Sequence, residues 1–478
     1  MTTTVNLRKI LDPKVWEWRT PAPTATAAAR FVSSGRLHKQ TQYYLESATV
    51  AWAYLPEEDA WMELPSPALG GTFAAGACGT CTPMGPSGTA SAGTTTTITT
   101  TLTLARNLAG FKLRITGGAG VDGVDHTITT NTVGANAVIT FTPALAVAAG
   151  ATTTYQLITG RWWVFNAHTV APVASQFKYY DYALNTWTAP ANLPAVGAAW
   201  GTDGRMVAHP SFSDNVAEIF ASGTATAGGA STLTNGAKTW TVNQWANAYQ
   251  IRITGGTGVG QVRVIASNTG TVITTASAWT TAPDNTSTYV IEGNDDYIYL
   301  LGNNAVTMYR YSVSAGTWTT LAPGVARAAA PGLGLSAHWV WGNTDATWTN
   351  ESAILNGRRI YSFRGGAGAV LDYYDVPSNA WTNALSYAPA ATTITTGTKH
   401  SIIDGRYLVF QKDATNRLYR FDTFAQQVEP LGQFLYTQGA AVLGDTMFDV
   451  SYTDGATKIK YLHMILNTSQ AHLRCLLI

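Results

Sequence analysis

Short runs in which apolar and polar residues alternate dominate the chain, and they are rich in Tyr, Trp, Val, Ile and Thr, side chains that suit a pleated, half-buried surface. YLVFQKD, RLYRFD, RWWVFNA and DDYIYLLGN are such runs, separated by Gly, Pro, Asn and Asp in turn-like clusters. The pattern predicts an all-β protein.

The runs repeat. Five segments share a tyrosine-rich strand, a short polar turn and a Trp or apolar residue opening the next strand: AYLPEEDAW ending at Trp61, KYYDYALNTW at Trp187, YRYSVSAGTW at Trp318, DYYDVPSNAW at Trp381 and YRFDTFAQQV at Val428. A sixth, degraded copy, KYLHMILNTSQAHLRCLLI, keeps two strands around an Asn467-Thr468-Ser469 turn without the Trp. Each unit offers four short strands, in the fifth ATTITTG, YLVFQKD, RLYRFD and QQVEPLG. A four-stranded sheet alone cannot bury both faces, so the units are expected to pack radially as blades of a β-propeller. Six blades are expected, the first from about residue 20, and a seventh stays open because Trp16 and Trp18 mark one more strand near the N-terminus. That strand either closes the ring on the last blade or pairs with a neighbouring subunit.

Two intervals are too long for one blade, and each contains a Thr/Gly/Ala-rich stretch. Residues 89–159 include FKLRITGGAGVDGVDHTITTNT and residues 224–293 include YQIRITGGTGVGQVRVIASNT, and both close on a Thr-Tyr strand, at Tyr155 and Tyr289. The shared order reads as a duplicated β-module inserted after the first strand of each of two adjacent blades, a position where an insert with its own core adds little closure entropy. The expected organisation is an N-terminal arm (1–19), a propeller (20–88, 160–223 and 294–478), module 1 (89–159) and module 2 (224–293).

The Tyr/Phe-Asp…Trp units resemble kelch repeats, whose period is roughly 50 residues, although the glycine doublet of those blades survives only in places such as Gly365-Gly366. The run from Gly256 to Thr269 resembles a module of tailed-bacteriophage virion proteins, as do the opening MTTTVNLRKILDPKVWEW and the stretch PSPALGGTFAAGACG; in module 1, Asp122, Gly123, Val124 and Asp125 replace the run around Gly260 to Arg263. The resemblance implies a virion structural protein, at a tail, nozzle, hub, baseplate, collar or head-decorating position, that partners other virion proteins as a symmetric homo-oligomer.

Composition fits that picture. The net charge is +1 with only 12% charged residues, which gives no global field toward nucleic acid and suits burial in an assembly. No apolar stretch is long enough to span a membrane, and the N-terminus lacks the apolar core of a secretory signal, so a soluble product of the host cytoplasm, destined for the virion, is expected.

Candidate chemistry is sparse. Cys78-Gly79-Thr80-Cys81 is half a zinc site, set in what reads as a loop. His168, His209, His338, His400 and His463 are scattered without close pairing, so no copper-oxidase set of Tyr, His and Cys is recognisable. Thr202-Asp203-Gly204-Arg205 matches a fragment of a sialidase turn; Asp295-Asp296 read as strand neighbours pointing to opposite faces, which disfavours a glycosidase pair; Glu57-Glu58-Asp59 reads as a solvated turn. Gly117-Gly118 and Gly255 to Gly260 lack the Lys-Ser/Thr of a phosphate loop and read as tight turns. Trp240, Trp245 and Trp279 of module 2 offer faces for stacking on host glycan or a partner, or else form that module's core, as Leu104, Leu108 and Leu145 would in module 1. Neither an enzyme activity nor a cofactor or metal is expected. The alternative function is a glycan-binding adhesin, and a kelch-scaffold hydrolase or oxidase ranks last.

Overall fold

In the computed structural model each of the five anchors sits directly across a hairpin from an aromatic residue: Tyr54 and Trp61, Tyr180 and Trp187, Tyr311 and Trp318, Tyr374 and Trp381, Phe421 and Val428. The four Tyr–Trp pairs bring ring centres to 5.1, 5.4, 5.0 and 5.5 Å, the unit from which sheet stability is built. Two residues before each anchor the chain takes positive φ, at Asp59, Asn185, Gly316, Asn379 and Gln426, mostly residue types that tolerate that conformation in a turn. The Asp of the repeat motif has a structural task. Asp181 accepts hydrogen bonds from the Ala183 and Leu184 amides in the turn and pairs with Arg161 at 3.1 Å, and Asp375 and Asp422 do the same work with Arg358 and Arg406.

The structure describes residues 16–23, 30–33, 40–70, 77–166, 176–190, 205–209, 212–213, 216–302, 306–330, 337–340, 358–365, 370–386, 400–403, 406–411, 417–423, 425–433, 446–454, 457–466 and 470–477. Their hairpins belong to six four-stranded antiparallel sheets, and the molecule is a six-bladed β-propeller. The innermost strands are Arg30–Ser33, Cys78–Thr82, Arg205–Ala208, His338–Val340, His400–Ile403 and Thr446–Asp454. Aromatic rings fill the wedges between blades: Tyr43 stacks on Trp162 at 4.9 Å, Phe177 meets Trp318, Tyr299 meets Tyr374, and Phe363 meets Phe410. No helix among the described residues is long and apolar enough to cross a membrane.

The sixth sheet answers the question of a seventh blade. Its outermost strand is Trp16–Arg19, which pairs antiparallel with Ala471–Leu477 in the register Trp16 to Cys475 and Arg19 to His472. The strand is thus taken up within its own chain rather than by a neighbouring subunit, and it completes the last blade instead of starting another.

Two sequence expectations about strands change. Cys78–Thr82 is not a loop but the innermost strand of the second blade, where the crowded axis suits small residues. In the fifth blade the innermost strand is His400–Ile403, while residues 391–397 lie outside the described residues.

The modules interrupt equivalent places. One separates Cys78–Thr82 from Arg161–Phe165 in the second blade; the other separates Arg205–Ala208 from Tyr297–Leu301 in the third. Each is a seven-stranded sheet with the same strand order, beginning at Ser87 in module 1 and Ile219 in module 2. Asn131 and Asn268 hold the same place in both, accepting from the Leu108 and Trp245 amides and donating to the carbonyls of Arg106 and Thr132 or of Thr241 and Thr269.

Candidate functional site

The two modules lean on each other through their glycine turns, in a reciprocal fashion. Gly123 sits against Thr254, which ends the Arg-Ile-Thr triplet of module 2, and Gly260 sits against Thr116, which ends the same triplet of module 1. Both glycines have positive φ, and a Cβ on Gly123 would stand 2.6 Å from the Thr254 backbone. This is the self-complementary arrangement expected of paired duplicates. Arg252 donates to the Gly123 carbonyl across the contact and from Nε to Glu292 at 3.1 Å; Arg114 pairs with Asp125 at 2.6 Å and approaches Glu292 at 4.0 Å. Arg114, Arg252 and Glu292 are buried, so the junction is a buried ion-pair network, costly to break by removing one partner.

Beneath this junction, where both modules meet the second and third blades, lies a cleft of about 670 Å³. Ser87, Gln156 and Arg114 line it from module 1, Gln250, Arg263 and Ser277 from module 2, and Asp295, Asp296, Tyr297 and Ser314 from the third blade and its entry. Arg263 is held by the Ala278 and Val262 carbonyls and the Thr280 hydroxyl, all neutral. Tyr297 carries the Arg310 guanidinium over its ring at 4.1 Å.

Asp295 and Asp296 do not occupy a strand. They form the link between Thr288–Gly293 and Tyr297–Leu301, where the Asp296 amide donates to the Asn294 side chain, and both reach the same cleft. The alternation rule applied to them in the sequence fails because the module hands the chain back to the blade at this point. Asp296 has a structural role. The third blade has Ser312 where the second has Asp181, and Asp296 supplies the missing carboxylate from the link just before the neighbouring strand, accepting from the Ser312 hydroxyl at 2.7 Å and the Ser314 amide at 2.6 Å. Asp295 has no such role. It is 9% exposed, its Oδ2 has no hydrogen-bond partner, and burial, helped by the neighbouring Glu292 and Asp296 charges against the pull of Arg114, pushes its carboxyl up to about 7.

The three tryptophans of module 2 are placed as its core. Trp245 is 1% and Trp279 6% exposed, so neither ring can stack on a sugar or a partner; Trp240 is half-buried, edge-on to Trp245 and Tyr289. The backbone shows why. The Trp240, Trp245 and Trp279 amides donate to Gly270 O, Asn268 Oδ1 and Ala230 O, and Leu104, Leu108 and Leu145 make the corresponding bonds in module 1. Trp18 is 64% exposed on the outer face of the closing strand.

Four of the eight histidines form two pairs, contrary to the sequence reading. His338 and His400, on the innermost strands of adjacent blades, share a 2.7 Å hydrogen bond; His463 and His472, on neighbouring strands of the sixth blade, share one of 2.9 Å. The pairs escape a linear search because blade packing and strand pairing bring them together. Burial, together with the Arg205 charge, holds His338 down to about 3 and His400 well below the usual histidine range. His209 is buried against Trp339 and Tyr249; His168 and Thr202 to Gly204 lie outside the described residues. No group of three or more His, Cys, Asp or Glu suited to a metal occurs among the described residues. Cys78 and Cys81 are not joined in a disulfide, and burial pushes Cys81 far above the range in which it would react. Asp59 is not a solvated tip. It accepts from Tyr54 Oη at 2.8 Å and from the Thr20 amide at 3.1 Å, and it pairs with Arg19 at 3.2 Å, tying the closing strand to the first blade.

No protein-family model and no curated protein matches the sequence. Among solved structures, the chain is similar to the structure of YjhT at 17% identity and a TM-score of 0.23, over 36% of this chain and 54% of that one. It is similar to a protein of unknown function from Bacteroides thetaiotaomicron at 12% identity and a TM-score of 0.24, over 77% of this chain and 65% of that one. Across 97% of its length it aligns with 94% of a luciferin-regenerating enzyme, at 9% identity and a TM-score of 0.33. The match thus spans about half the length of YjhT, and none of these similarities assigns an activity to the chain.

Proposed function

We propose that the chain is a non-catalytic structural protein of a bacteriophage virion, a kelch-like propeller acting as a rigid protein–protein scaffold at a tail, nozzle, hub, baseplate or collar position. The observation that carries this reading is the junction between the modules. Their reciprocal glycine contacts and buried Arg252–Glu292 and Arg114–Asp125 pairs make two inserts on adjacent blades into one stiff projection. A projection that does not flex can transmit a fixed geometry to neighbouring subunits with little ordering entropy lost on assembly. The likeness of the duplicated Gly-x-Gly run to virion modules gives the setting, and a weakly charged surface suits permanent burial among other proteins. Mass spectrometry of purified particles tests it: the chain is expected at a fixed copy number per virion, and its absence from particles overturns the proposal.

A further inference from the structure

We infer that the cleft between the two modules is a binding site for neutral carbohydrate, with Asp295 as its central polar contact. The inference goes beyond the scaffold role and does not depend on it.

The cleft is a built site rather than a surface dent. Its volume of about 670 Å³ lies within the range of about 300–1,000 Å³ typical of small-ligand pockets. Three separate parts of the fold converge on it. At its wall sits a carboxyl group nine-tenths buried, with one oxygen unpartnered, a rarity that calls for an explanation. Structure alone does not supply one, because the turn-capping work of this region is done by its neighbour Asp296.

The charges around the cleft select the ligand. Arg114 is matched by Asp125, Arg161 by Asp181 and Arg252 by Glu292, which leaves Arg263 to face Asp295 and Asp296. No net positive field remains to hold a phosphate, sulfate or sialic acid. Against Asp295 itself, a carboxylate or phosphate oxygen could only accept a hydrogen bond and an ammonium group could only donate one. Because Asp295 changes protonation near neutral pH, the group that satisfies it on both sides of its titration must donate and accept equally well. A sugar hydroxyl does both. The remaining lining repeats that chemistry: Ser87, Ser277 and Ser314 offer hydroxyls, and Val262 and Tyr297 apolar surface for the C–H face of a pyranose, while Gln250 holds the Asp295 side chain.

The test uses the purified full chain on an array of neutral trisaccharides and tetrasaccharides of hexoses and N-acetylhexosamines, with sialylated and sulfated counterparts alongside; retained sugars are then titrated calorimetrically. At least one neutral saccharide is expected to bind. Asp295→Ala should weaken it by at least about tenfold, since a site built around a polar contact discriminates strongly when that contact is lost. Ser277→Trp, at an exposed position on the cleft wall, should abolish binding by filling the space. Retention of no neutral saccharide, retention of the anionic ones alone, or wild-type affinity in Ser277→Trp overturns the inference, and Ser277→Trp decides alone if Asp295→Ala fails to fold.

Discussion

Asp295 is held in a state that opposes folding at neutral and alkaline pH. An unfolded aspartate ionises near pH 4, whereas this carboxyl keeps its proton until about 7. Between those values the folded chain binds the extra proton, so the contribution to stability is fully present below pH 4 and is lost as pH rises through 7. At pH 8 the ionised group costs about 4 kcal/mol relative to the acid limit. Asp295→Asn should therefore raise the urea midpoint at pH 8 by the equivalent of roughly 2–4 kcal/mol and leave it nearly unchanged at pH 4; an equal effect at both pH values would refute the assignment. A residue kept at such a cost is what a functional site looks like among structural neighbours. The module tryptophans behave in the opposite way. Trp245→Ala leaves a large void in a sealed core and should lower stability by about 3–5 kcal/mol, read from urea melts.

At the scale of elements, the closing strand carries the ring. Trp16–Arg19 is held to the last blade by its ladder and by Arg474 and Glu17 at 2.8 Å, and to the first blade by Asp59. Beneath it lie His463 and His472, with Tyr54, Arg19, Asp59 and Arg474 around them and the Thr20 carbonyl accepting from His472. Burial holds His472 down to about 4 against the help of Thr20 and Asp59, and holds His463 well below its usual range. The unfolded chain protonates these side chains near pH 6.5, so stability is full above that value and falls between pH 6.5 and about 4, by about 3 kcal/mol from His472 alone. In urea unfolding at pH 7.5, 6 and 4.5, His472→Gln should lose less stability on acidification than the wild-type chain, a difference in which the opposite contribution of Asp295, common to both, cancels; an identical pH dependence in the two would place the effect elsewhere. The sequence made the hairpins legible because each carries its own aromatic pair, as Tyr180 and Trp187 do, and it made the duplication legible through the Arg-Ile-Thr-Gly-Gly turns. It hid what depends on contacts between distant segments: the His338–His400 pair, the small-residue innermost strand at Cys78, and the cleft, whose key carboxyl looks in sequence like any charge beside a strand.

At the scale of the whole molecule, the modules share hydrophobic cores with the blades that carry them, yet the register of those blades allows the ring to be tested without them. Thr82 and Arg161 are directly opposite one another in the second blade, so a two-residue Asn-Gly turn can replace module 1 and close a hairpin. The same holds between Ala208 and Ile298 in the third blade. A chain with both modules excised should keep β-rich circular dichroism and a cooperative melt; collapse to an unfolded chain would show that the ring needs its inserts. In the intact molecule Gly123→Val should force the modules apart, seen as faster amide exchange at Thr116 and Thr254 with little change in the fifth blade. The ring closure also sets a schedule for synthesis. Trp16–Arg19 leaves the ribosome more than 400 residues before its partner Ala471–Leu477. Until then Trp16–Arg19 has no partner in its own chain, and an unpaired strand invites pairing with another nascent chain. Closure of the ring therefore waits for Ala471–Leu477, and any truncation upstream of Ala471 should yield not a shorter ring but an unlatched one, prone to aggregate.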